Sequence, residues 1–142
     1  MRQNTKTIFG GATTATTLSA EYDTVGFSFA KIVHLGSGTA LANAASGGIV
    51  IVESDTSGGT TNTITGYVQG TDFTASTAVS GNSTSLAKAI VNLDLRGRKR
   101  YIKATFVTGT TTALNSTFCE LSLPSDGVDS VTSGGAVNGV GF

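Results

Sequence analysis

The chain has one cysteine in 142 residues, Cys119, so no internal disulfide can form, and no Cys or Cys–His spacing suits zinc. Histidine is as scarce. His34 is the only imidazole, and a catalytic role would need a nucleophile or carboxylate orienter that no spacing supplies. It reads as a polar-face residue of a strand, and Cys119 as a packed thiol with no basic neighbour in sequence. Tryptophan is absent and tyrosine occurs three times, a thin supply for a surface that stacks on sugar rings. No window reaches the roughly 18 apolar residues of a membrane span, and no signal-length apolar run follows Met1-Arg2-Gln3-Asn4-Thr5-Lys6. The expectation is a chain made in a cytoplasm, with no membrane partner. Gly10-Gly11, Gly47-Gly48 and Gly58-Gly59 lack the spacing and the following helix of a phosphate cradle, and no cofactor is expected.

Charge is also sparse, at 13% of residues, and balances to zero. Together with a mean hydropathy of +0.15, this suggests that partners cover part of the surface, because freely diffusing domains rely on charge for solubility. What the chain has in quantity is Thr and Ser, 39 together, and 19 Gly. These are strand and turn formers, so the chain reads as nearly all β. Seven to nine short strands between Gly, Thr and Ser turns predict one antiparallel β-sandwich, with a barrel as the second choice.

Residues 1–20 read as an N-terminal arm or a first edge strand, 21–124 as the sandwich domain, and 125–142 as a C-terminal arm beyond the strand-stopping Pro124. From Val25 to Leu35 the apolar residues Val25, Phe27, Phe29, Val33 and Leu35 occupy odd positions, which predicts a strand burying that face. Ile49-Val50-Ile51-Val52 is apolar throughout and predicts a central strand that runs into the acidic corner Glu53-Ser54-Asp55. Thr60 to Gln69 predicts a polar strand, and Asp72 to Thr74 and Thr77 to Val79 weaker ones. Thr39 to Ser46 fits a strand or a helical turn, and Gly81 to Ser85 a loop. From Ala113 to Leu123 one face of the final strand holds Ala113, Asn115, Thr117, Cys119, Leu121 and Leu123 and the other Leu114, Phe118 and Glu120, so both faces are partly apolar.

Five of the nine Lys and Arg residues, namely Arg96, Arg98, Lys99, Arg100 and Lys103, fall within eight positions, and Asp94 is the one acid beside them. Val91, Leu93 and Leu95 alternate with polar residues before this basic cluster, and Tyr101 to Val107 resumes strand composition after it. The cluster thus reads as a tight connection between two paired strands. It would then be a solvated hairpin, a nucleic-acid site or a protein-docking patch. Nucleic acid would call for interleaved aromatics or a wider positive face than Tyr101 and a neutral chain supply. Docking is the preferred reading, because Arg suits bidentate contacts with a partner's carboxylates. Arg96, Arg98, Lys99, Arg100, Tyr101 and Lys103 are its candidate residues. Glu53 and Asp55 read as a solvated turn or as ion partners of this cluster, ahead of a calcium site.

Two segments, Ile51-Val52-Glu53-Ser54-Asp55-Thr56-Ser57-Gly58-Gly59 and Val91-Asn92-Leu93-Asp94-Leu95-Arg96-Gly97-Arg98-Lys99-Arg100-Tyr101-Ile102-Lys103, resemble a pattern in small head proteins of tailed bacteriophages. The resemblance spans roughly Val25 to Leu123. It implies a jelly-roll-like sandwich that decorates or cements a capsid, has the major capsid protein as partner, often acts as a homotrimer, resides in the virion and catalyses no reaction. A carbohydrate-binding or adhesin-like sandwich is the alternative.

Overall fold

In the computed structural model, residues 5–37, 48–73, 86–107, 114–123 and 140–141 are described. They form nine strands and no helix: β1 (Thr5–Thr13), β2 (Thr17–Asp23), β3 (Phe29–Ser37), β4 (Ile49–Ser54), β5 (Asn62–Val68), β6 (Leu86–Asp94), β7 (Tyr101–Val107), β8 (Asn115–Ser122) and β9 (Val140–Gly141). Among the described residues no helix is long and apolar enough to cross a membrane.

The strands lie in two antiparallel sheets, a five-stranded one in the order β1-β8-β3-β6-β9 and a four-stranded one in the order β2-β7-β4-β5. From β1 to β4 each strand crosses to the sheet opposite its predecessor. After the β4–β5 pair the alternation resumes through β6, β7 and β8. Period-two patterning sets the inner faces. In β7, Ile102, Ala104 and Phe106 are buried, and they meet Leu18, Ala20 and Tyr22 of β2 and Ile49 and Ile51 of β4. The facing sheet contributes Ala30 and Ile32 of β3, Ala89, Val91 and Leu93 of β6, and Cys119 and Leu121 of β8 to the same core. Burying the Val, Leu, Ile and Phe side chains among these contributes roughly 1.5–3 kcal/mol each.

The all-β sandwich expected from composition is therefore the fold. Ile49–Val52 is a central strand, flanked by β7 and β5, and Asn115, Thr117, Cys119 and Leu121 share the buried face of β8.

Three expectations change. Residues 5–20, assigned to an arm, carry β1 and half of β2. β1 is the edge strand paired with β8, and Leu18 and Ala20 are buried. Between the two sequence readings of this segment, the structure has the edge strand. At the other end, Val140–Gly141 pairs with Val91 and Ile90 on the edge of β6, while residues 124–139 lie outside the described residues.

The inward face of β3 is also the opposite of the one expected. Residues Thr24 to Ser28 are turn and bend, closed by the Phe27 N–H donating to the Thr24 carbonyl at 3.1 Å, and the strand begins only at Phe29. Ala30, Ile32 and His34 face inward, while Phe29, Lys31, Val33 and Leu35 lie on the other face, where Val33 alone of the four is buried. β3 is held on both sides, with Ile32 level with Val91 of β6 and Cys119 of β8. The inward residues of those neighbours fix its face, and a one-residue offset exchanges the two faces of any strand.

Third, β6 and β7 do not pair. β6 lies between β3 and β9 and β7 between β2 and β4, so the basic segment crosses between the sheets instead of closing a hairpin. The segments 39–46, 77–79 and 81–85 lie outside the described residues.

Candidate functional site: the charged corner

Leu95 anchors the crossing: its side chain is buried and its N–H donates to the Ser28 carbonyl at 2.9 Å. The Arg98 N–H returns to the Leu95 carbonyl at 3.0 Å, closing a four-residue turn. Gly97 occupies its third position with φ +74°, a left-handed conformation that costs other residues a Cβ–carbonyl clash. The chain thus reverses direction with bases at Arg96, Arg98, Lys99 and Arg100.

Each of these bases from Arg96 to Arg100 finds an acid. Arg96 folds back onto Asp94, its Nε 3.0 Å from both carboxylate oxygens, and the Arg96 N–H donates to the same group at 3.0 Å. Arg98 pairs with Glu53 at 3.9 Å, and Glu53 also accepts the Lys99 N–H at 3.2 Å. Lys99 Nζ donates to Asp55 at 2.6 Å. Arg100 grips Asp23 through Nε at 2.9 Å and a terminal nitrogen at 2.7 Å, and its guanidinium sits 5.0 Å from the Tyr101 ring centroid. Such fork-to-carboxylate pairs are the stronger kind of exposed ion pair. Lys103 stands opposite Glu21 in the β2–β7 register, and Glu21 in turn accepts from the Ser57 hydroxyl at 2.7 Å and the Gly58 N–H.

The carboxylates respond to these partners. The Arg100 hydrogen bonds hold Asp23 down at about 2. Arg96 lowers Asp94, and the Ser57 and Gly58 hydrogen bonds lower Glu21. Conversely, Asp94 raises Arg96 and Asp23 raises Arg100. All of these groups remain ionised near neutrality.

The six sequence-predicted site residues are thus brought together at one end of the sandwich, and the Glu53–Asp55 corner joins them as ion partners. The five bases Arg96, Arg98, Lys99, Arg100 and Lys103 stand beside five acids, Asp94, Glu53, Asp55, Asp23 and Glu21. Sequence proximity exposes three acids, Asp94, Glu53 and Asp55, whereas the fold adds Asp23 and Glu21 from β2. Nothing local marks Asp23 as a partner of a residue 77 positions later. Only the β2–β7 pairing supplies it. Among the described residues no group of three or more His, Cys, Asp or Glu could hold a metal ion.

The other two candidate groups lie in the core. Cys119 is buried, and loss of solvation pushes its thiol up to about 12. His34, expected on a polar face, is fully buried and stacked on Phe106. Beside it, the Thr117 hydroxyl donates to the Val33 carbonyl at 3.0 Å, which leaves its oxygen to accept from the Tyr22 hydroxyl at 3.1 Å. The buried Tyr22 phenol is raised to about 12.

Compared with known proteins, the chain matches no family model, no curated protein and no solved structure.

Proposed function

We propose that this chain is a structural protein of a tailed-phage head that seats on the outside of the capsid and ties neighbouring major-capsid subunits together. One observation carries the reading. The two segments that resemble phage head proteins, one around Glu53-Ser54-Asp55 and the other around Asp94 to Lys103, meet in space as a single ion-paired corner. Residues so joined constrain one another, which gives a physical reason for both motifs to occur together.

Strand order adds support at the level of fold. β1-β8-β3-β6 over β2-β7-β4-β5 is the order produced when two Greek keys wind through a pair of sheets, the jelly-roll arrangement used by viral capsid domains. Within this reading the corner is the docking surface. Its charge is balanced, so docking proceeds by a partner's carboxylates and carbonyls sharing guanidinium donors that already point outward. Arg96 is the foremost of them, with 77% of its side chain exposed and, among the described residues, the neighbouring Asp94 as its ion partner.

The test is to purify particles from a culture that produces this chain, quantify it against the major capsid protein, and then rebind Arg96→Glu protein to stripped capsids. The expected result is a stoichiometric presence in particles, with rebinding lost at an unchanged melting temperature. Absence from particles would end the reading, and unchanged rebinding would remove the corner from it. Jelly rolls also serve as lectins, and selective binding on a glycan array would favour that use instead.

A further inference from the structure

We infer that a second copy of this chain packs against the outer face of the five-stranded sheet, about a two-fold axis parallel to the strands between β8 and β3. The register places Phe9 of β1, Phe118 of β8, Val33 of β3 and Ile90 of β6 side by side on that face, with each residue the direct neighbour of the next. Beyond Ile90 the row continues onto Gly141, which has no side chain. Four strands at about 4.8 Å spacing make this an apolar row about 14 Å long across the sheet. Phe9 stands proud at 69% exposure, while Val33 lies low at 7%.

The row on one side is polar and that on the other is mixed. Thr7, Glu120, Lys31 and Asn92 form one, and Ala12, Ser116, Leu35 and Lys88 the other. Among the described residues the outer face of the four-stranded sheet has a shorter apolar run, Val50 beside Val68. There Ser19 hydrogen-bonds Thr105, Lys103 lies between Glu21 and Val52, and Thr63 lies beyond Val52.

The rows commit the face to a second copy because they complement themselves. An in-plane two-fold along the strands keeps each residue at its level while exchanging β1 with β6 and β8 with β3 of the mate. Phe118 then faces Val33, and the prominent Phe9 faces Ile90, so large side chains meet smaller ones. In the flanking row Lys31 faces Glu120, twice over by symmetry, and Thr7 faces Asn92. Lys88 faces Ala12 and Leu35 faces Ser116, so no like charges oppose each other. Within one chain Lys31 and Glu120 are 3.9 Å apart with side chains 43% and 45% exposed, which leaves both able to reach a second partner. Two-fold contacts of this kind, in which residue i meets j and j meets i, are the commonest route to a closed assembly. Aligned sheet packing sets the strands of the two copies within about 30° of each other. The pairing depends on this face alone and is independent of any seat on a capsid.

Light scattering on the full-length chain between 1 and 100 μM, roughly the range for such interfaces, is expected to give a dimer. Lys31→Glu and Glu120→Lys should each weaken self-association by tenfold or more, because like charges then meet at two places. A mixture of the two variants should associate as a heterodimer, since one presents two acids where the other presents two bases. Rearranged pairing within a chain cannot produce that rescue. Phe9→Ser should weaken all three assemblies. The inference is overturned by a wild-type monomer throughout this range, by the trimer that the phage resemblance implies, or by folded charge variants that do not associate on mixing.

Discussion

His34 lies flat against Phe106 across the sandwich, with ring centroids 4.4 Å apart and planes within 10°. The imidazole comes from β3 in one sheet and the phenyl ring from β7 in the other, and neither ring nitrogen of His34 has a hydrogen-bond partner among the described residues. Desolvation disfavours the charged ring and lowers its pKa from 6.5 to about 4. Above pH 6.5 the ring is neutral in both the folded and unfolded states, and stability does not depend on it. Between pH 6.5 and 4 the unfolded chain takes up a proton that the native state refuses, so stability falls as pH falls, by up to about 3 kcal/mol. Urea unfolding at pH 7 and pH 5 should show most of this loss in the wild type and none of it in His34→Phe. Since His34 is the only histidine, its NMR signal also reports directly. A folded-state midpoint near 6.5 would contradict the account.

The carboxylates act in a separate, lower window. Asp23 is held at about 2, and Asp94 and Glu21 are also lowered, so what they contribute is intact above the ordinary carboxylate range and fades only as pH drops below about 4. Asp23→Asn should therefore flatten the stability curve below pH 4 and leave the span from 6.5 to 4 unchanged.

Two glycines should fail for different reasons. A Cβ on Gly10 would lie 2.3 Å from the Tyr22 hydroxyl, 2.7 Å from Ala20 Cβ and 2.8 Å from a Thr117 methyl. Gly10→Ala must then displace three neighbours packed around it, at a cost of about 1–3 kcal/mol or more. Gly97 has open space around its Cβ position but a φ of +74°, so Gly97→Ala carries only the left-handed backbone penalty of about 1–2 kcal/mol. Gly97→Asn should recover part of that loss, whereas no small residue should rescue position 10. Equilibrium denaturation of the four proteins decides.

Elements whose apolar residues alternate against polar ones were readable from sequence. Val91-Asn92-Leu93-Asp94 shows its buried face directly. In β3 both faces hold apolar residues, and the choice between them lies with β6 and β8, which are remote in sequence. For the same reason β1 resembled an arm: Thr5 to Thr13 has little to bury, and its order comes from pairing with β8. The basic cluster was visible as a cluster, but its neutrality was not, because Asp23 and Glu21 reach it only through strand pairing. Polarity alone puts His34 outside the core, and only the opposing Phe106 shows why that site tolerates a neutral ring.

Cys119 offers a probe of opening. It is the only thiol, is buried, and has its ionisation pushed up to about 12. Native protein at pH 8 should react with Ellman's reagent at least about a thousandfold more slowly than protein in denaturant, in proportion to the unfolding equilibrium. Gly10→Ala should raise the native rate by the factor that its lost stability predicts. A fast native rate would mean that β8 opens locally.

Within the corner, the ion pairs differ in burial, and this ranks their effects. Glu53 is 14% exposed at its side chain and serves two partners, pairing with Arg98 and accepting the Lys99 N–H. Removing it leaves a peptide N–H and a guanidinium without their acceptor at the point where the chain changes sheets. Glu53→Ala should therefore cost about 1–3 kcal/mol. Among the described residues Arg96 engages the adjacent Asp94 alone, and it is largely in water, so Arg96→Gln should leave the unfolding midpoint unchanged. Glu53→Gln separates the two roles of Glu53, because the amide oxygen can still accept from Lys99 while the charge on Arg98 goes unmatched. Its stability should fall between wild type and Glu53→Ala, and adding salt should narrow the gap to wild type. Should Glu53→Gln match Glu53→Ala at every salt concentration, the hydrogen bond to Lys99 would contribute nothing and charge pairing alone would hold the corner.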